Sequence, residues 1–220
     1  MDKTQTIDKA QTLERIRDLG LLAVIRGLSP ESTLQIVEAL IVGGVTGIEV
    51  TYSTPGAAGV VSALRARYGE TILLGMGTLT EVAQVQEACE AGAHFLVSPI
   101  TEPSLAHAMT ASGLAVMMGA LTPSEILHAY RLGSDVVKIF PGSLGGPEYM
   151  KALRGPFPDV PMMPTGGVDE GNLKAWFAAG AFAVGAGSNL TPKDLVNAGR
   201  FAEITEIARK FVEAVRAARG

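Results

Sequence analysis

The feature that most constrains this chain is a rhythm. Short apolar runs recur at 21–25, 47–52, 72–77, 95–98, 115–118, 136–140, 160–164 and 182–185. With Val24, Glu49, Met76, Val97, Met117, Lys138, Met163 and Gly185 as centres, successive runs lie 20 to 27 residues apart. A strand, a loop and a helix of about three turns need that length. Ser29-Pro30-Glu31, Thr54-Pro55, Thr80-Glu81, Thr101-Glu102-Pro103, Thr122-Pro123-Ser124-Glu125 and Asp169-Glu170 read as helix starts, because a hydroxyl or acid, often before proline, suits a helix N-terminus. Gly43-Gly44, Gly92, Gly113, Gly133 and Gly180 fall where those helices should end. Eight strand–helix units with nearly pure apolar strands predict a parallel sheet covered by helices. Eight units favour a closed (β/α)8 TIM barrel, with an open doubly wound sheet as the alternative.

Spacing at Ile7, Leu13, Ile16 and Leu19 predicts an extra N-terminal helix, and 201–219 a final outer helix. No linker divides the 220 residues, so residues 1–220 read as one domain. A formal charge of −4 argues against a nucleic-acid partner, which requires a basic face. A local anion site built from backbone N–H groups is still allowed. Cys89 is the single cysteine, so no internal disulfide can form, which fits a cytoplasmic location. No signal-peptide core and no apolar run of about 20 residues is present, so no membrane partner is expected.

Three charged residues break the apolar strands. Arg26 ends the first, Glu49 lies inside the second and Lys138 inside the sixth. Each alone reads equally as part of a structural ion pair. Together they point further, since the second and sixth strands of an eight-stranded ring face each other. A buried amine opposite a buried acid forms a catalytic constellation. Burial among apolar strands disfavours the ammonium form. A neutral Lys138 amine can attack a ketone and form an iminium, an electron sink that lets a neighbouring C–C bond break. Glu49 is then the candidate general acid/base. It is expected to work through a water rather than from a tight salt bridge, which would stabilise the ammonium.

Pro164-Thr165-Gly166-Gly167-Val168 ends the seventh strand and Gly185-Ala186-Gly187-Ser188 the eighth. Either glycine motif alone could be a tight turn. In consecutive final units they point to phosphate, which β/α barrels hold after strands seven and eight. Gly75-Met76-Gly77-Thr78 offers a third glycine-lined edge with a hydroxyl donor.

With Ile48-Glu49-Val50-Thr51, Ser98-Pro99 and Lys138-Ile139-Phe140-Pro141, these motifs stand in an order that resembles the 2-keto-3-deoxy-6-phosphogluconate and 4-hydroxy-2-oxoglutarate aldolase family, from Leu21 to Leu190. The resemblance implies a homotrimeric class I aldolase, free of metal and cofactor. It would cleave a phosphorylated keto-deoxy sugar acid to pyruvate and glyceraldehyde 3-phosphate. It implies Lys138 as the Schiff-base lysine and Glu49 as its acid/base. Thr78 would lie near the pyruvate carboxylate, Pro99 and Phe140 would line the pocket, and Gly166, Gly167, Gly187 and Ser188 would form the phosphate end. Two substrate markers disagree. Ser53 stands where many gluconate enzymes carry an arginine, and Arg26 matches the 6-phosphogalactonate branch, as does Ser143-Leu144-Gly145-Gly146-Pro147. Thr165 instead resembles the gluconate branch, where its hydroxyl meets one of the sugar acid. The 6-phosphogalactonate and 4-hydroxy-2-oxoglutarate activities are therefore the nearest alternatives. An isomerase or synthase on a phosphate-binding barrel, or a barrel without catalysis, stand behind them.

The remaining reactive residues read as structural. His94, His107 and His128 have no metal-ligand spacing and are expected at surfaces or core edges. Cys89 is expected as a small buried hydrophobe, the Met117-Met118 and Met162-Met163 pairs as core filler, and Trp176 as a packing residue. Arg65 and Arg67 are expected to be solvated.

Overall fold

The computed structural model describes residues 8–220. Its strands are β1 (Leu21–Ile25), β2 (Gly47–Thr51), β3 (Leu73–Gly77), β4 (Phe95–Val97), β5 (Ala115–Ala120), β6 (Val136–Ile139), β7 (Met162–Pro164) and β8 (Val184–Ala186). All pairings are parallel, in the order β7-β6-β5-β4-β3-β2-β1-β8. A parallel bridge between Thr165 and Gly185 joins the two ends of that row, and the Phe182 N–H donates to the Met162 carbonyl at 2.9 Å. The sheet is therefore a closed barrel rather than an open doubly wound sheet.

Around it lie α2 (Pro30–Val42), α3 (Ala57–Tyr68), α4 (Val82–Glu90), α5 (Pro103–Ala111), α6 (Pro123–Arg131), α7 (Gly146–Leu153), α8 (Leu173–Ala178), a short α9 (Lys193–Asn197) and the long α10 (Phe201–Arg219). Most helix starts fall where local chemistry puts them. Ser29 caps α2, Glu102 caps α5, and Thr122 with Glu125 forms a reciprocal box at α6. Two starts shift. α3 is capped by Gly56 at φ 64°, not by Thr54, because the buried Thr54 hydroxyl accepts the Gly27 N–H from the β1–α2 loop at 3.1 Å. Asp169 and Asn172 bond each other's backbone N–H groups in a separate turn, which delays α8 to Leu173.

The expected N-terminal helix is α1 (Lys9–Leu19), held by an Asp8–Gln11 capping box; Ile7 lies outside the described residues. It closes the barrel floor. Ile16 is fully buried against Leu22, Leu73 and Phe95, and Lys9 pairs with Asp135 at 2.9 Å. α10 packs between α2 and α8. Its approach to α2 is so close that a Cβ on Gly43 would lie 2.4 Å from that of Ala208.

Strand alternation sorts the side chains into two cores. Ile48, Val50, Leu74, Met76, Val137 and Ile139 point outward to the helices. Leu22, Leu73, Phe95, Met117, Val136 and Met163 point inward and fill the lower barrel. Both methionine pairs are buried, one residue of each in either core, and Trp176 is buried on α8. Cys89 corrects its expectation: it is exposed on the outer face of α4. Among the described residues no helix is long and apolar enough to cross a membrane.

Arg65 is a further correction, for it is largely buried and ion-paired to Glu70, while Arg67 is exposed beside Glu38. Glu70 gathers Arg15, Arg65 and His94 at the barrel floor. Burial alone would raise the Glu70 pKa. The Arg65 hydrogen bond and the charges of His94, Arg65 and Arg15 outweigh it and hold the carboxyl below its ordinary value. His94 is buried at the entry to β4. Its Nδ1 accepts the Leu74 N–H at 3.0 Å, and its Nε2 lies 3.1 Å from Glu70 but out of line for a hydrogen bond. Burial first, then the Arg65 charge, push its pKa below the ordinary value, against the pull of Glu70.

The sign follows from linkage. A histidine kept neutral in the folded state binds its proton more readily when unfolded, so its contribution is full above about pH 6.5 and is lost as pH falls toward the depressed folded value. Urea unfolding between pH 8 and 5 should show stability falling on acidification, by up to about 1.4 kcal/mol per pH unit. His94→Asn, whose Oδ1 keeps an acceptor for Leu74, should flatten that slope; an unchanged slope would remove His94 from this role.

Candidate active site

The alternation that fills the lower barrel with methyl groups puts different chemistry in its upper half. Continuing inward from Leu22, Val136, Leu73, Met117 and Met163, the same faces reach Arg26, Lys138, Gly75 and Gly77, Gly119 and Thr165. On β2, with Ile48 and Val50 outward, Glu49 and Thr51 face in. Lys138 and Glu49 are 2% and 0% exposed, with Nζ and Oε1 3.7 Å apart. That is beyond a hydrogen bond but within ion-pair distance. Among the described residues no protein donor reaches either Glu49 carboxylate oxygen. The Lys138 Nζ stands 5.3 Å from the centre of the Phe140 ring.

Glycines make this pair possible. Gly77 neighbours Thr51 in the β2–β3 ladder, and a Cβ on it would stand 1.9 Å from Glu49 Oε1. Gly119 neighbours Lys138 across β5–β6, and its Cβ would strike the Pro99 carbonyl at 2.1 Å. Thr78, directly after Gly77, has φ 59°. A β-branched residue there is a backbone outlier of a kind that concentrates at functional sites.

At the mouth, a cavity of about 460 Å³ is lined by Arg26, Phe140, Thr165, Gly166, Gly167, Gly187 and Ser188. These seven expected site residues thus share one space. Lys138 and Glu49 do not line it, and neither do Thr78 and Pro99, which follow β3 and β4. Leu28, Asn189 and Lys193 also line the cavity and were not singled out in the sequence. Lys193 could have been found only by knowing that α9 follows β8.

The loop after β7 is held by its carbonyls. The Gly142 N–H donates to Thr165 O at 2.7 Å, Asn172 Nδ2 to Gly167 O at 2.7 Å and Asn189 Nδ2 to Val168 O at 2.9 Å. Gly166 and Gly167 sit at φ 93° and 75°, conformations glycine adopts freely. Among the described residues no protein acceptor takes the N–H of Gly166, Gly167 or Ser188. The Thr165 hydroxyl is buried and also without a partner. Such an edge of unspent donors suits an anion.

Arg26 Nη1 donates to the Ser53 hydroxyl at 3.2 Å. Thr51 commits its own proton to Ile25 O at 2.9 Å, so Ser53 must supply the proton in its 3.0 Å contact with Thr51. Arg26, the residue directly after β1, thus reaches Ser53 on the loop after β2. Among the described residues no cluster of three or more histidine, cysteine or acidic side chains could hold a metal. The arrangement can hold an anion at its edge, present an amine to a carbonyl and move protons through Glu49.

The family model of KDPG and KHG aldolases matches residues 13–207. A 2-dehydro-3-deoxy-phosphogluconate aldolase of Treponema pallidum is 34% identical over 206 residues, 93% of this chain and 96% of that protein. A 2-dehydro-3-deoxy-6-phosphogalactonate aldolase of Escherichia coli is 34% identical over 202 residues, 91% and 96% of the two chains. The crystal structure of the KDPG aldolase of Legionella pneumophila, with pyruvate captured as a covalent carbinolamine, superposes with a TM-score of 0.83 at 29% identity, covering 90% of this chain and 97% of that one.

Gly77→Ala should press on Glu49 and lower Tm by about 3–10 °C, the range for overpacking a domain of this size. In a Glu49→Ala background the same change should cost clearly less. Equal losses in both backgrounds, read by calorimetry, would mean that Gly77 does not make room for Glu49.

Proposed function

The chain belongs to the KDPG and KHG aldolase family, and on that premise we propose that it is a class I aldolase cleaving 2-keto-3-deoxy-6-phosphogluconate to pyruvate and glyceraldehyde 3-phosphate. The observation that carries the proposal is the buried Lys138–Glu49 pair, held 3.7 Å apart without a hydrogen bond. The Lys138 amine adds to the C2 ketone, and loss of water gives an iminium. Removal of the C4 hydroxyl proton, with Glu49 as the base, releases the aldehyde as the C3–C4 electrons flow into the iminium. Protonation of the resulting enamine at C3 and hydrolysis free pyruvate and restore the lysine.

Thr78 and Pro99, on the β3–β4 side, are assigned to the pyruvyl end. Phe140 and Thr165 are assigned to the middle of the substrate, and Gly166, Gly167, Gly187 and Ser188 to its phosphate. The buried Thr165 hydroxyl without a partner favours a substrate whose C4 hydroxyl reaches it, which supports the gluconate epimer. The Arg26–Ser53 contact supports the second reading, the 6-phosphogalactonate activity. Arg26 is assigned to the substrate carboxylate, where a guanidinium fork fits. The homotrimer is part of the proposal, and light scattering should give three times the 22.9 kDa chain mass.

Borohydride reduction with pyruvate should add one reduced pyruvyl mass to the peptide bearing Lys138 and abolish activity; an unmodified, active protein after reduction would overturn the proposal. Glu49→Gln should keep the adduct but lower kcat about 10²–10⁴-fold, the usual share of general acid/base catalysis. Arg26→Ala should raise KM for pyruvate-yielding acids with or without a phosphate; an unchanged KM would move the carboxylate contact to Thr78 and backbone donors. Of the two C4 epimers, the gluconate form should be preferred, and Thr165→Val should reduce that preference about tenfold. A wild-type preference for the galactonate form would favour the second reading.

A further inference from the structure

Lys193 belongs to no motif identified in the sequence, yet it lines the same cavity as Gly166, Gly167 and Ser188. The chain reaches it by a tight return after β8. The N–H groups of Leu190 and Thr191 both donate to Gly187 O at 2.9 Å, Asn189 ties this turn to Val168, and Pro192 leads into Lys193 at φ −56°. The turn is thus braced at both ends, and the lysine is set beside the loop edge with the unspent N–H groups. Among the described residues Lys193 makes no ion pair. The nearby Asp194 does not line the cavity and instead adds its field to Arg200. The lining as a whole holds two cations, Arg26 and Lys193, and no carboxylate, on a chain whose net charge is −4.

We propose that Lys193 is a specificity-determining residue that selects a substrate with a phosphorylated tail over the same acid bearing a free hydroxyl. The assignment to substrate rests on the aldolase reading; the phosphate contact itself does not. The loop N–H groups can serve any oxygen acceptor, charged or neutral, through hydrogen bonds. A mobile ammonium adds an interaction that grows with the charge of the tail, and as a flexible point charge it needs no fixed fork geometry. Because Lys193 is exposed, that interaction is screened by salt.

Two measurements test this. In the first, kcat/KM is compared for 2-keto-3-deoxy-6-phosphogluconate and for unphosphorylated 2-keto-3-deoxygluconate. Lys193→Ala should lower the ratio of the two about three- to tenfold, through KM rather than kcat. Lys193→Arg should restore most of it, and Lys210→Ala, an exposed lysine of α10 outside the cavity, should not change it. Arg26→Ala should shift both substrates together. In the second, calorimetric binding of glycerol 3-phosphate should weaken by a similar factor in Lys193→Ala, with the difference shrinking at high salt. A wild-type ratio in Lys193→Ala, or an unchanged affinity for glycerol 3-phosphate, would overturn the proposal even if pyruvate is trapped on Lys138. If pyruvate is not trapped but glycerol 3-phosphate binding still depends on Lys193, the aldolase reading fails and the phosphate contact stands.

Discussion

The structure depends on one constraint, the twofold alternation of side chains along strands that close on themselves. In an open sheet a strand has two faces that can both be covered by helices. In a closed barrel one face has only the other strands to meet, so every second residue of eight strands must share one narrow interior. Here the lower interior is filled by Leu22, Leu73, Phe95, Met117 and Met163, sealed by Ile16 of α1. Moving one or two pleats up the same faces, the residues include Glu49, Gly75, Gly77, Gly119, Lys138 and Gly185. The interior passes from apolar side chains to glycines and two ionisable groups. Glycine is what allows it, since a methyl group at Gly77 or Gly185 would collide with Glu49 or Thr165.

The cost of that upper layer is electrostatic. Two ionisable side chains are taken out of water without a hydrogen bond between them, and among the described residues both carboxylate oxygens of Glu49 lack a donor. A buried polar group left without partners destabilises a fold by a few kcal/mol. A better-paired arrangement would be more stable, but it would occupy the carboxylate oxygens that a general base must keep free. Stability is recovered at the other end. The floor carries the α1 plug, the Lys9–Asp135 pair and the Glu70 network, and the outside carries the clamp of α10 on α2, where Thr205 donates to Ala39 O at 3.0 Å. At the floor Glu70 is hydrogen-bonded to Arg65, whereas the pair near the mouth has no hydrogen bond between its members.

This division also explains what the sequence could reveal. Strand spacing is a property of length and alternation, so the eight units were legible, as were the charges that interrupt β2 and β6. Lys138 and Glu49 follow from parity alone once the barrel is closed. What sequence could not reveal were contacts between distant segments. Nothing local to His94 says that its Nδ1 will cap the Leu74 N–H across a strand pair. Nothing local to Arg65 says that Glu70 will draw it inward. Thr54 looks like a helix cap until the Gly27 N–H competes for its hydroxyl. Cys89 lies on the outward stripe of α4, where periodicity over nine residues is too short to distinguish faces. Lys193 was hidden for a similar reason, since a five-residue helix leaves almost no periodic signal.

The mouth divides its unpaired donors and cations between backbone and side chains. Backbone N–H groups are fixed once the carbonyls behind them are fixed, and here Gly142, Asn172 and Asn189 hold three carbonyls of one short loop. Donors arranged in this way are preorganised and lose little entropy on binding, but they read shape more than charge. Side-chain cations read charge at long range, yet a free lysine loses rotamer freedom when it is held. Arg26 partly avoids that loss, because Ser53 already accepts one of its N–H groups and is itself oriented by Thr51. Placing one tethered and one untethered cation around a rigid donor edge gives a local positive field on a chain of charge −4. Such a field raises the rate at which small anionic ligands encounter the mouth.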